Sequence, residues 1–290
     1  MKILVTGRDG QVARSLAERG GAQELIFASR PDLDLSVPDT IVRTIETVKP
    51  DIVISAAAYT AVDHAEDEPG LAMAINGSAL HHIGRAAAGT GAPVIHLSTD
   101  YVFDGSRTRA WREDDPTGPI NVYGKTKLAG EEELASSGAT YAILRTAWVY
   151  SPFGSNFVRT MLRLGETRAM VNVVNDQFGN PTSALDIADA LLAVANRWSE
   201  HPGYGADAVY HFAGTGSTDW ASFARAIFTQ SAHNHGPACA VTGIPAHEYP
   251  TRAARPTNST LDTTKFAEVF GHRAPDWQDS LAQTVARLVT

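Results

Sequence analysis

The sequence predicts an α/β fold built on a doubly wound parallel sheet, with a smaller lobe interleaved toward the C-terminus. Three observations carry that prediction. Short, β-rich apolar runs alternate with segments whose apolar residues recur every three or four positions. The first run, Lys2-Ile3-Leu4-Val5-Thr6, leads directly into a glycine turn and then a helical pattern. After about residue 146 the texture changes to shorter elements with many Gly and Pro, and with aromatic residues scattered through loops.

Taken in order, Lys2 to Thr6 reads as a strand, Gly7-Arg8-Asp9-Gly10-Gln11-Val12-Ala13 as a tight turn, and the pattern opened by Val12 and Leu16 as a helix. Glycines there let the backbone approach a pyrophosphate closely. The free N–H groups and dipole of the helix N-terminus favour its charge. Ala13 stands where helix must pack against strand, and a methyl group is the largest increment expected to be harmless at that position. Residues 24–28, 51–55, 93–97 and 141–145 are further apolar runs of the kind a sheet buried on both faces requires. Helical segments near 38–48, 70–89 and 122–137 separate them. Right-handed crossovers then give a Rossmann-type sheet that takes ligands outside the carboxyl ends of its strands. A helix near 183–198 and a strand near 208–213 are expected to return to the sheet. The chain therefore divides into a dinucleotide-binding domain, residues 1–146 joined by 183–213, and a substrate-binding lobe of residues 147–182 and 214–290. No internal repeat or low-complexity linker is visible.

Composition permits this and narrows the function. The chain has 290 residues, 43% of them apolar, enough for a large core. Its 24 basic against 32 acidic side chains leave a formal charge of −8, with no basic run, so nucleic acid and anionic membranes are not expected partners. No stretch approaches the roughly 18 uninterrupted apolar residues of a membrane span. The chain enters a strand at once, without the pattern of a signal peptide. The single Cys239 cannot form an internal disulfide, which suits a reducing cytoplasm, the expected location.

The chemistry-bearing residues gather on one edge of this sheet. Tyr123 and Lys127 stand four positions apart on one helix face. An ammonium beside a phenol favours phenolate and draws its pKa from about 10 toward working pH. Thr99 lies at the end of an apolar run, in Ser98-Thr99-Asp100-Tyr101. Thr99, Tyr123 and the glycine turn all fall at strand carboxyl ends, and together they read as a proton-transfer site. After the second strand come Ser29 and Arg30. A carboxylate there would favour NAD through the ribose hydroxyls, whereas a hydroxyl with a guanidinium suits a 2′-phosphate. NADPH is therefore the expected cofactor, with NADH left open.

Other chemistries fit poorly. Gly118 to Thr126 mimics a phosphate-binding P-loop but places five residues between its glycines where the motif needs four. The ten histidines are dispersed, no cysteine partners stand near them and no His-Glu-x-x-His run occurs, so no metal site is expected. Gly-x-Ser-x-Gly, the elbow of a serine hydrolase, is absent.

The motifs add up to a resemblance. Gly7 to Val12, Ala56 to Asp63, Ser98-Thr99-Asp100-Tyr101-Val102-Phe103, Asn121 to Glu131, Arg145 to Tyr150, Asn175 to Thr182 and Ala254 to Ser259 follow one another in the order found in the extended short-chain dehydrogenase/reductases. Within them the chain resembles the dTDP-4-dehydrorhamnose reductase family. It departs at Ala13, where the pattern usually shows glycine, and in the residues after the second strand.

The resemblance implies a proton donated by Tyr123 to the C4 ketone of a nucleotide-linked sugar, with hydride from the nicotinamide. Lys127 would hold the ribose hydroxyls and keep the phenol acidic, and Thr99 would hydrogen-bond the ketone. Gly7, Gly10, Gln11 and Val12 would meet the cofactor phosphates, with Asp34, Leu35, Ala58, Tyr59 and Thr60 around its adenine and ribose. Asp100, Tyr101 and Trp148 would contact the substrate, and Arg255 would clamp its diphosphate.

Plainer readings stay open beside these. Thr99 caps a strand end, Trp148 packs in a core, Arg255 is solvated charge and Ser29-Arg30 is a turn. Two functions also remain: a reductase of dTDP-4-dehydro-L-rhamnose or another nucleotide-linked 4-keto-6-deoxy sugar, and a non-catalytic NADP-binding regulatory subunit. A 4,6-dehydratase would carry Asp-Glu after the threonine, where this chain has Asp100-Tyr101. The oligomeric state is left open, a homodimer included.

Overall fold

The computed structural model describes residues 1–289. Strand β1 (Lys2–Thr6) and helix α1 (Gln11–Arg19) flank the glycine turn. Strand β2 (Glu24–Ala28), helix α2 (Pro38–Val48) and strand β3 (Ile52–Ser55) follow. Pro38 opens α2 in its first turn, where a missing N–H costs nothing. The single helix expected near 70–89 is instead three pieces, after the short α3 (Val62–Ala65): α4 (Pro69–Met73), a π-helical turn Ala74–Ser78, and α5 (Ala79–Thr90). Asn76 in the π turn shows why. Its Oδ1 accepts the Tyr59 N–H at 2.8 Å, and its Nδ2 donates to the Tyr59 carbonyl at 3.0 Å and to Thr126 Oγ1 at 3.2 Å. A widened turn is how a helix presents one side chain to a loop in this way.

Strand β4 (Val94–Thr99), helix α6 (Val122–Ser136) and strand β5 (Tyr141–Thr146) complete the first half. The second half holds β6 (Val149–Tyr150), α7 (Phe157–Gly165), β7 (Met170–Val174), β8 (Phe178–Gly179), β9 (Thr182–Ser183) and α8 (Ala184–Glu200). It closes with β10 (Ala208–His211), β11 (Thr218–Asp219), α9 (Trp220–His233), β12 (Ala240–Ile244), α10 (Thr264–Phe270) and α11 (Trp277–Val289).

The central sheet has six parallel strands in the order β10-β5-β4-β3-β1-β2. The chain leaves β1 for β2 on one side and then crosses to β3 on the other. That reversal is a topological switch point, the place where an open α/β sheet takes its ligand. Alternation along the strands sends side chains to two cores. Ile3, Val5, Ile54 and Ile95 meet Leu16 of α1 and Leu191 and Trp198 of α8. Leu4, Val53 and Val94 meet Ile41 of α2, Ile83 of α5 and Leu134 of α6. Each such side chain contributes about 1.5–3 kcal/mol on burial.

Beyond the sheet, the short pairs β7–β12, β8–β11 and β6–β9 stand with α7, α9 and α11. Tyr150, Val158, Phe223, Ile227, Trp277 and Leu281 form their separate core. Helix α10 behaves differently, since Phe266 and Phe270 pack into the core of the sheet. Among the described residues no helix is long and apolar enough to cross a membrane.

Candidate active site

Thr6, the last residue of β1, accepts the N–H groups of Ala56 and Ala57 at 3.0 and 3.1 Å, tying the loop after β3 to the glycine turn. Gly7 has φ +88, a backbone that favours glycine, and a Cβ on it would also stand a tight 3.2 Å from that of Ala57. Its N–H donates to the carbonyl of Ala28 at 2.7 Å, which joins the turn to the end of β2. Helix α1 then begins with no side-chain cap, leaving its first N–H groups for an anion.

From this turn a cleft of about 1020 Å³ runs to the ends of β4 and α6. Gly7, Gly10, Gln11, Val12, Ser29, Arg30, Asp34 and Leu35 line one end, and Ala58, Tyr59 and Thr60 its flank. Thr99, Asp100, Tyr101, Tyr123, Lys127 and Trp148 line the other. At the first end Arg30 is exposed, while the Asp34 carboxylate is taken up by the N–H and hydroxyl of Ser36 at 2.9 and 2.7 Å. Those hydrogen bonds hold its carboxyl below the usual range. Arg8 donates to the carbonyl of Phe27 at 3.3 Å, which brings a second guanidinium beside the end of β2.

At the far end Thr99 Oγ1 donates to Asp100 Oδ1 at 2.9 Å and accepts the Tyr101 N–H at 3.2 Å. Thr99 thus does cap a turn, and it lines the cleft as well. Asn121 caps α6 by accepting the Gly124 N–H at 2.7 Å, and its amide donates to the carbonyl of Ala254 at 2.8 Å. A Cβ on Gly124 would lie 2.1 Å from the carbonyl oxygen of Tyr101. Glycine here lets the start of α6 rest on the turn after β4, which brings Tyr123 to Thr99. The rings of Tyr101 and Tyr123 meet edge to face, 5.9 Å between centroids.

Lys127 corrects one expectation. It shares a helix face with Tyr123, but its Nζ turns into the sheet, 2.6 Å from the Leu97 carbonyl oxygen and 3.1 Å from His96 Nε2. The phenol is therefore not drawn down by the ammonium. Burial pushes Tyr123 up to about 12, and the hydrogen bond with Thr99 opposes this. Burial also pulls Lys127 down to about 8 against the charge of Glu131. At neutral pH the phenol is protonated, as a general acid needs.

Below Lys127, Glu131 accepts hydrogen bonds from Arg145, from Nε at 3.0 and 3.3 Å and from Nη2 at 2.6 Å, and one from the hydroxyl of Ser98. This buried pair clamps α6 to β5 and β4. Removing one partner of such a pair costs roughly 3–5 kcal/mol.

Arg255 is the one expected residue that does not itself line the cleft, although its charge reaches Tyr101, which does. Its Nη2 lies 2.8 Å from Asp63 Oδ2 and its Nη1 3.1 Å from the carbonyl of Ala253, and it is absent from the lining. Asp63 thus holds one nitrogen of the guanidinium expected to meet a phosphate.

Several lining residues, Asn156 and Trp220 among them, went unmarked in the sequence, as did the partners of Gln11. Gln11 Oε1 accepts from Ser151 Oγ at 2.8 Å and from Asn156 Nδ2 at 3.0 Å, linking α1 to the loop before α7. Trp220 stacks on Trp148 and lines the cleft, so Trp148 is both packed and cleft-facing. No motif reveals such contacts, because the partners lie far apart along the chain.

A parallel sheet with an uncapped helix at its switch point, and a Thr-Tyr-Lys set at the other end of one cleft, define a dinucleotide-dependent oxidoreductase of the short-chain class. The family described as RmlD substrate binding domain matches residues 1–290, and the chain belongs to that family, whose members include dTDP-4-dehydrorhamnose reductases. A dTDP-4-dehydrorhamnose reductase from Sinorhizobium fredii is 45% identical over 290 residues, covering 100% of this chain and 98% of the relative. The crystal structure of such a reductase from Clostridium acetobutylicum superimposes with a TM-score of 0.92 at 35% identity, covering 100% of both chains. One from Bacillus anthracis, in complex with NADP, gives 0.89 at 32% identity over 98% of this chain and 99% of the other.

Proposed function

We propose that this chain uses NADPH to reduce the C4 ketone of dTDP-4-dehydro-L-rhamnose, giving dTDP-L-rhamnose. The observation that carries this reading is the convergence of Thr99, Tyr123 and Lys127 on one end of a cleft whose other end is the bare N-terminus of α1. The names of the relatives and the NADP held by the Bacillus anthracis enzyme support it. The residues present fit the cofactor, since α1 opens without a cap and the space over Gly10 is clear of any atom within 4 Å of a Cβ position. When bound, NADPH supplies the hydride.

The chain does the rest. Gly10, Gln11 and Val12 take the diphosphate on the helix N-terminus, Ser29 and Arg30 the 2′-phosphate, and Leu35, Ala58, Tyr59 and Thr60 surround the adenine and its ribose. Lys127 holds the ribose nearer the reacting centre. Tyr123 transfers its phenolic proton to the ketone oxygen as negative charge develops there, and Thr99 hydrogen-bonds the same atom. Asp100, Tyr101 and Trp148 meet the sugar nucleotide, between the sheet edge and the lobe formed by 147–182 and 214–290. With Tyr101 after Asp100, no second carboxylate stands ready for a dehydration. A cytoplasmic location belongs to the same reading.

The test is NADPH oxidation by the purified chain with dTDP-4-dehydro-L-rhamnose and a panel of other nucleotide 4-keto sugars. Turnover fastest with the rhamnose precursor is expected. Tight NADPH binding without oxidation by any of them would restore the regulatory reading.

A further inference from the structure

His96 stands in β4 behind the cleft wall, fully buried at 0% exposure. Its ring has a polar partner on each side: Nε2 lies 3.1 Å from Lys127 Nζ, and Nδ1 lies 3.1 Å from Ser55 Oγ on the neighbouring strand β3. The two strands are in register at this point, Ser55 opposite His96. A buried ammonium needs acceptors for its N–H groups, and Lys127 is only 2% exposed. It has three N–H donors. One goes to the Leu97 carbonyl, and the contact with Nε2 takes a second. Nε2 can accept only if the ring is neutral with its proton on Nδ1, and Ser55 Oγ is placed to receive that proton in a hydrogen bond. One N–H of Lys127 is then left for the cleft that this residue lines.

We propose that His96, seated by Ser55, is a positioning residue for Lys127: it fixes the ammonium so that its remaining N–H is presented to the cofactor ribose. The inference rests on the NADPH-binding reading of the cleft. Burial and the adjacent Lys127 charge both push the imidazole well below its ordinary pKa, so it stays an acceptor. Of the titratable and charged groups nearby, Glu131 of α6 acts on Lys127 and is itself paired with Arg145 of β5, and Tyr123 stands one turn earlier on the same helix. Glu131 is already engaged by Arg145 and Ser98, so it does not replace His96 as the acceptor.

The experiment compares His96→Leu, which keeps bulk and removes the acceptor, with His96→Gln, whose side-chain carbonyl can stand in for Nε2. NADPH affinity is measured by fluorescence titration without sugar, and the pH profile of turnover is measured with it. In the Leu variant Kd for NADPH should rise about tenfold. Its alkaline limb should move to lower pH, because an ammonium deprived of an acceptor loses its proton more easily. The Gln variant should recover both. Should the Leu variant not fold, His96→Asn, too short to reach Lys127, takes its place against Gln with the same expectations. Equal impairment of the two variants, or none in either, overturns the assignment. Failure of the wild-type chain to bind NADPH would instead overturn the reading of the cleft.

Discussion

The indole rings of Trp148 and Trp220 stack face to face, 3.5 Å between centroids and 6° from parallel, joining the loop after β5 to the first residue of α9. Trp148 adopts φ +47, a left-handed backbone that bulky residues seldom take. It packs against Gly179, where a Cβ would lie 2.4 Å from the indole. The Trp148 end of the cleft is therefore assembled from the loop after β5 and helix α9 together. Trp220→Ala should raise KM for the nucleotide sugar roughly 2- to 12-fold, the worth of an aromatic pair beyond its buried area, and leave NADPH affinity unchanged. Steady-state kinetics with an NADPH titration check this. Equal losses for sugar and cofactor would mean that the stack supports the lobe alone.

Tyr123→Phe removes the hydroxyl proposed to donate the proton while keeping the ring that meets Tyr101. Turnover should fall by roughly 10²- to 10⁴-fold with NADPH binding intact. Near wild-type kcat in a folded variant would remove Tyr123 from the chemistry.

Lys127 and Tyr123 separate in pH, and the sign of one prediction follows. Lys127 carries its charge below about 8 and loses it above, whereas Tyr123 keeps its proton to about 12. The alkaline limb of the wild-type profile is therefore expected to follow Lys127. Lys127→Ala should weaken NADPH binding and shift what activity remains so that its alkaline limb moves upward, toward the phenol. A limb that stays in place with unchanged affinity would leave Lys127 a structural role only.

Arg30 is exposed at the cleft end of β2, free to meet a 2′-phosphate that NADH lacks. Arg30→Ala should raise KM for NADPH and spare KM for NADH. A charge-assisted contact of about 1.5–3 kcal/mol corresponds to a loss of preference of roughly 10- to 150-fold. Equal effects on the two cofactors, or none, would shift phosphate recognition elsewhere, with Arg8, which lines the same cleft, as the other guanidinium to test.

Much of the fold was legible because its signals are local. The strands from β1 to β5 announce themselves as apolar runs, and the glycine turn as a spacing. The exception within that half is the helix expected near 70–89. Its π turn exists because Asn76 reaches the backbone of Tyr59, and no periodicity encodes a contact between a helix and a distant loop.

By itself, the sequence determined the five strands from β1 to β5 and most of the helices between them, the placement of Thr99 and Tyr123 at strand carboxyl ends, and the glycine turn that opens α1. These follow from residue type and short-range spacing. Only the tertiary structure decided where the charged groups point. Helical spacing sets Lys127 beside Tyr123, yet the ammonium turns to Leu97 and His96, because a buried cation goes where acceptors surround it. Arg255 finds Asp63, far away in sequence, before any phosphate. The phenol rises to about 12 rather than falling, because desolvation depends on everything packed around a group and not on the residue four positions along the helix.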